Sequence, residues 1–274
     1  IPGPIGVFDS GYGGLTILDK IRGLMPEYDY IYLGDSARCP YGPRSFEVVY
    51  EFTLQAVSKL FELGCPLVIL ACNTASAKAL RTIQQINLPV IDATRRVLGV
   101  IRPTAECIGE ITRSRHVGIL ATAGTIKSES YLLEIHKLSP DIVVTGEACP
   151  MWVSLVENNE YQSEGADYFV KQHINRLLDK DPMIDTIILG CTHYPLLLDK
   201  IRQFTPGHIR IIAQGEYVAR SLQDYLNRHP EMDARCEKGG KCRFLTTESE
   251  NKFEESASIF LGRQDIKVES IALE

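Results

Sequence analysis

The 274-residue sequence has no apolar run long enough to cross a membrane. Its opening stretch, IPGPIGVFDSG, lacks the basic head and cleavage pattern of a signal peptide, so the expected setting is the cytoplasm. Lys and Arg number 29 against 35 Asp and Glu, and a formal charge of −6 leaves no broad basic surface. Nucleic acid is therefore set aside as a main partner, and so is a membrane. The glycine-rich DSGYGG at 9–14 matches neither the Walker pattern nor the dinucleotide fingerprint. There are eight cysteines, but no disulfide framework is needed in a chain of this length, and reduced thiols are the default. The only close pair, Cys236 and Cys242 in CEKGGKC, is spaced wider than a zinc knuckle. His208 and His229 lie in the same region, yet a second ligand pair is missing. A solvent-exposed loop, and no metal, is the expectation there.

What is present is ordinary for a soluble globular chain: 45% hydrophobic and 23% charged residues, enough for one large domain or two medium ones. Short apolar runs read as strands at 5–9, 29–34, 66–71, 116–120, 141–146, 185–190 and 208–212. Between them, EVVYEFTLQAVSKLFELG and ADYFVKQHINRLLDK have helical spacing of apolar residues. The alternation predicts an α/β fold of mainly parallel sheets flanked by helices. In such sheets ligands sit beyond the carboxyl ends of the strands, so the polar residues at strand ends are where chemistry belongs.

The chain also repeats itself. IGVFDSGYGG resembles VGILATAGT, with Gly6 and Gly118 lying 112 residues apart. YIYLGDSARCP resembles IVVTGEACP, where Gly34-Asp35 meets Gly146-Glu147 at the same offset. LVILACNT then matches TIILGCTH, with Cys72 and Cys191 at an offset of 119. Three matches in order, each closing on a polar residue, predict two related halves with one cysteine on each wall of a cleft.

Each of these thiols ends a strand and precedes a helix. Unpaired N–H groups at a helix N-terminus favour the thiolate and lower its pKa. Asp9 and Ser10 end the first strand, and the following glycines allow close backbone approach. Asp35 and Glu147 end the second strand of each half and are candidates for further cleft residues. The CPYG turn holds Tyr41 and Gly42 beside the same edge, and His193 follows Cys191 by two residues. Two thiols on opposite walls suit inversion of a chiral carbon, in which a base takes a proton from one face and an acid returns one to the other.

DSGYGGL, YLGDSARCPYG, ACNTASA, GEACP and GCTHYPLL together resemble the glutamate racemases of the aspartate/glutamate racemase superfamily. The resemblance implies interconversion of L- and D-glutamate for peptidoglycan, with no pyridoxal phosphate or other cofactor and no metal. It implies two pseudo-symmetric α/β domains with the substrate between them, here residues 1–94 plus 209–274 and residues 95–208. Cys72 would take the proton from D-glutamate and Cys191 from L-glutamate, assisted by Asp9 and His193 respectively. Asp9, Ser10, Tyr41, Gly42, Asn73, Thr74, Thr192 and His193 correspond to substrate-binding positions. Members of the family are often dimers, which makes a homodimer the assembly to test for.

The chain departs from the family's pattern at IAQGEYVA (212–219), where many members read an Asp-Ser-Gly-like stretch and this one has Ala213-Gln214. Three rival readings stand beside the racemase. Aspartate racemase is the nearest, although such members tend to carry Glu where His193 stands. A cysteine-nucleophile amidase built on Cys191 and His193 is disfavoured, because residues two apart on a tight turn rarely make a good nucleophile–base pair. A binding module without catalysis would not need two cysteines.

Overall fold

In the computed structural model, which describes residues 1–262 and 266–273, the strands form two sheets in which every pairing is parallel. The first sheet contains β1 (Ile5–Asp9), β2 (Tyr30–Gly34), β3 (Leu67–Leu70), β4 (Arg96–Gly99), β9 (Cys242–Thr246) and β10 (Val268–Ser270). The second contains β5 (His116–Ala121), β6 (Val143–Ala148), β7 (Thr186–Gly190) and β8 (Arg210–Ile212). Among the described residues no helix is long and apolar enough to cross a membrane.

The continuous apolar character of the central strands follows from burial on both faces. Successive side chains in a strand point to opposite sides, so each sheet feeds two cores. Val7, Tyr30, Tyr32 and Ile69 pack on one side of the first sheet with α1 (Leu15–Leu24) and the helix Gly215–Arg228. Phe8, Ile31, Leu33, Val68 and Leu70 pack on the other side with α2 (Phe46–Glu62). In the second sheet Ile187 and Leu189 meet the helix Glu164–Lys180. Ile119 and Ile188 meet the helices Ile101–Ile111 and Ser130–Leu138.

The internal repeat is visible in the topology. The first sheet runs β10-β9-β2-β1-β3-β4 and the second β6-β5-β7-β8, so four strands recur in the same order, with β9 and β10 added at one edge of the first. β3 and β7 are equivalent; Cys191 follows β7 directly and Cys72 follows β3 after Ala71.

The sheets move the expected division of the chain by a few residues. β4 completes the first sheet, so the chain crosses to the second lobe after residue 99 rather than 94. β8 completes the second, so the return comes after residue 212 rather than 208. Both are short edge strands, defined by backbone pairing more than by any apolar pattern. β9 was not expected either: Cys242 opens that strand and Cys236 is buried in the first core, while residues 237–241 between them form the solvent-exposed loop expected there. The single helix expected after Cys72 is instead α3 (Asn73–Lys78), followed by shorter, differently wound turns up to Ile91.

The start of β7 is held by Asp185. Its carboxylate accepts from Thr112 Oγ1 (2.6 Å), Arg113 N (2.7 Å), Ser114 N (2.8 Å) and Thr186 Oγ1 (2.9 Å). Burial alone would raise its pKa, but these donors outweigh burial and hold it well below the ordinary carboxylate value. A depressed native pKa means the unfolded chain binds the proton more readily. The contribution is therefore present above the unfolded pKa of ~3.9 and is lost as pH falls below it. Asp185→Asn is expected to cost about 2 kcal/mol at neutral pH and to flatten the acid side of the stability curve, as read by urea melts between pH 3 and 7.

Candidate active site

The first wall is built at the ends of β1 and β3. Cys72 is the N-cap of α3; its sulfur accepts from Ala75 N at 3.4 Å, donates to Ser10 Oγ at 3.5 Å, and the residue is 6% exposed. Burial pushes the Cys72 thiol up, the nearby Asp9 carboxylate adds to this, and the Ala75 N–H and Ser10 hydroxyl pull it back only in part. The result is a pKa of about 12. The helix terminus does not win here: one weak N–H contact cannot offset desolvation of the sulfur. Cys72 is a proton-bearing thiol, contrary to the thiolate its position suggested. Asp9 is fully buried; Oδ2 accepts from Gly11 N at 3.1 Å, and Oδ1 has no hydrogen-bond partner among the described residues. Burial also raises its pKa, with His193 opposing.

The second wall has different electrostatics. Cys191, 7% exposed, lies 3.9 Å from His193 Nδ1, and His193 Nε2 is 2.5 Å from Glu157 Oε1. Burial would lower the imidazole's pKa, but the contacts to Cys191 and Glu157 win and hold it well above the usual histidine value. Glu157 also accepts from Cys39 Sγ at 3.9 Å. Cys191, His193 and Glu157 thus form a chain running out from the sulfur.

The lobes touch around these two thiols. Thr74 Oγ1 meets Thr122 Oγ1 at 2.9 Å, and Thr16 Oγ1, which donates to the Gly13 carbonyl at 2.8 Å, lies 3.4 Å from the Thr192 carbonyl. A Cβ at Gly13 would stand 2.3 Å from Thr192 Oγ1 and 2.6 Å from His193 Nδ1, so only glycine permits this approach. A Cβ at Gly42 would stand 2.9 Å from Thr122 Cβ, which puts the CPYG turn against the second lobe as well.

Asp9, Ser10, Cys72, Thr74, Cys191, Thr192, His193 and Gly42 are therefore gathered at one junction between the sheets. Four expected ligands are not free. Asp35 is committed within the first lobe: it accepts from Arg38 Nε (2.7 Å), Thr247 Oγ1 (2.8 Å) and the Tyr41 hydroxyl. Tyr41's hydroxyl is spent on that bond, so its side chain anchors the turn. Glu147 is likewise bound to His173 Nδ1 (2.8 Å) and Lys180 Nζ (2.6 Å) of the helix Glu164–Lys180. Both carboxylates fix scaffold, a correction to their reading as cleft residues. Asn73 is buried with its carboxamide bonded to Gln214 and Tyr131.

Thr122 and Glu157 were not expected. Thr122 had a signal, since it lies 112 residues after Ser10, its counterpart in the repeat. Glu157, in LVENNE, has no counterpart in the first half.

Two thiols at equivalent strand ends, in facing lobes of one repeated α/β unit, define an amino-acid racemase architecture. A family model described as Asp/Glu/Hydantoin racemase matches residues 16–222. Glutamate racemase from Ruegeria sp. is 38% identical over 270 residues, covering 95% of this chain and 97% of that protein. The crystal structure of a glutamate racemase isoform from Bacillus anthracis superposes with a TM-score of 0.89 at 36% identity, covering 99% of this chain and 98% of that one. Glutamate racemase from Francisella tularensis, solved in complex with D-glutamate, has a TM-score of 0.86 at 31% identity, covering 100% and 98%. The chain belongs to the Asp/Glu/Hydantoin racemase family, as an isomerase among its glutamate racemases.

Glu157→Gln removes the charge that stabilises the imidazolium. It is expected to bring the His193 titration down toward ~6.5, followed by NMR of the imidazole carbons. Because the native pKa is raised, the associated stability is present below the unfolded pKa and lost as pH rises through the folded one. That alkaline loss should be smaller in the variant. An unchanged His193 titration would contradict the pairing.

Proposed function

We propose that the protein interconverts L- and D-glutamate by a two-base mechanism using Cys72 and Cys191. The observation that carries this reading is the pair of buried thiols at equivalent strand ends, each with its own charged neighbour: Asp9 beside Cys72, and His193 against Cys191. With L-glutamate bound, Cys191 as thiolate takes the Cα proton, so that a C–H bond breaks and an S–H bond forms. Cys72, whose environment keeps its proton, gives it to the opposite face, and the product is D-glutamate. The reverse reaction exchanges the roles. The His193 imidazole, which Glu157 keeps charged, stands beside Cys191 as a positively charged neighbour.

The unpartnered Oδ1 of Asp9 is the natural acceptor for the substrate ammonium group. The hydroxyls of Ser10, Thr74 and Thr192 and the backbone N–H groups of the turn at Tyr41 and Gly42 supply donors for two carboxylates. Both acid/base groups in this scheme are side chains of the chain itself. A role in supplying D-glutamate for peptidoglycan, and a cytoplasmic location, rest on the resemblance to glutamate racemases alone.

Incubation with L-glutamate in deuterated water, without added cofactor, is expected to yield D-glutamate carrying deuterium at Cα. Cys72→Ala and Cys191→Ala should each lower turnover by about 1,000-fold or more. Exchange with aspartate but not glutamate would move the substrate assignment, absence of exchange with either would sink it, and a fully active cysteine variant would sink the two-base scheme.

A further inference from the structure

Gln214, the residue at which the chain departs from the family's pattern, is 3% exposed and sits where the chain returns from the second lobe to the first, between β8 and the helix Gly215–Arg228. Its side chain reaches both chain crossings and the active-site wall. Oε1 accepts from Asn73 Nδ2 at 2.7 Å. Nε2 lies 2.6 Å from the Tyr131 hydroxyl, 3.0 Å from Thr104 Oγ1, 3.1 Å from Asn73 Oδ1 and 3.4 Å from the Val100 carbonyl.

The two amide hydrogens can be assigned from the other donors. Thr104 sends its own proton to the Val100 carbonyl at 3.0 Å, so its oxygen is free to accept from Gln214. The Tyr131 hydroxyl donates to Asn73 Oδ1 at 2.5 Å, so it too accepts from Gln214. A closed ring follows: Asn73 to Gln214, Gln214 to Tyr131, Tyr131 to Asn73. In a buried site each donor polarises the next, and a ring with every member satisfied behaves as a unit. Asn73 is adjacent to Cys72 in α3, Tyr131 belongs to the second lobe, and Val100 and Thr104 lie just past the outgoing crossing. One side chain therefore ties both crossings to the segment that carries a catalytic thiol.

We propose that Gln214 is a positioning residue for racemisation: it buckles the two interlobe crossings together and fixes the Asn73 carboxamide, and with it the Cys72 segment, in the closed cleft. The ring leaves Asn73 one N–H outside it, held in a set direction for a substrate carboxylate. The inference rests on the assignment of Cys72 as an acid/base group.

The test uses Gln214→Met, which keeps much of the volume and none of the hydrogen bonds, and Tyr131→Phe, which removes only a hydroxyl. Each is expected to raise KM for glutamate about tenfold and to lower kcat per folded protein about tenfold, because substrate is held less well beside Cys72. The double variant should be no worse than the poorer single, since a broken ring cannot be broken again. A role confined to packing would lower the melting temperature and the folded fraction while leaving KM unchanged. That outcome, or losses that multiply in the double variant, overturns the proposal. Tyr131→Phe reads the ring even where substitution at 214 prevents folding. The two assignments fail separately: an active Cys72→Ala variant removes the thiol reading, whereas an inactive Cys72→Ala beside unaffected ring variants removes only the buckle.

Discussion

A parallel strand stops at its carboxyl edge with side chains and N–H groups that no further ladder uses, and this edge is the constraint on which the molecule is built. β3 and β7 are buried and hydrogen-bonded on both sides, which makes them poor places for movement and good places from which to hold a sulfur atom still. Because the two sheets share one strand order, the same edge occurs twice. Facing the lobes toward each other sets one thiol opposite the other without any special loop. The helices Gly215–Arg228 and α1 then brace the first sheet beneath the crossings, and the close approach at Gly13 sets how nearly the walls can meet.

The repeat supplies symmetry of position but not of charge. Cys72 has a carboxylate for a neighbour and little else that favours a negative sulfur, so its proton stays on. Cys191 has beside it an imidazole that Glu157 holds in its charged form. The two halves have thus diverged in the charge around each sulfur, as the proposed two-base scheme calls for. Ser10 and Thr122 keep the older equivalence, both hydroxyls one residue past a strand end. Thr122 bonds across to Thr74, while Ser10 serves its own lobe's thiol.

The strands buried on both faces were legible in the sequence, because apolar runs bounded by glycine and polar residues leave few alternatives. β4 and β10 were not, since short edge strands are defined by which neighbour pairs with them, and neither was β9, which pairs with β2 and β10. Asp35 and Glu147 illustrate a second limit. A carboxylate at a strand end can turn to the cleft or into its own lobe, and only the positions of Arg38, Thr247, His173 and Lys180 decide. Cys72 illustrates a third: a helix start can be read from sequence, but the desolvation that overrides it cannot. Glu157 reaches His193 from a helix 36 residues earlier in the chain, a distance over which a lone glutamate gives no warning.

Both sulfurs are almost wholly hidden from solvent. Under the two-thiol scheme an enzyme that has just made the D product leaves Cys191 protonated and Cys72 bare, the form suited to D substrate. Water cannot correct this while the lobes remain closed. On that scheme the free protein keeps a record of the last enantiomer it handled until the thiols exchange protons with water. Erasing that record is a separate event, tied to the parting of the walls and distinct from any step at carbon.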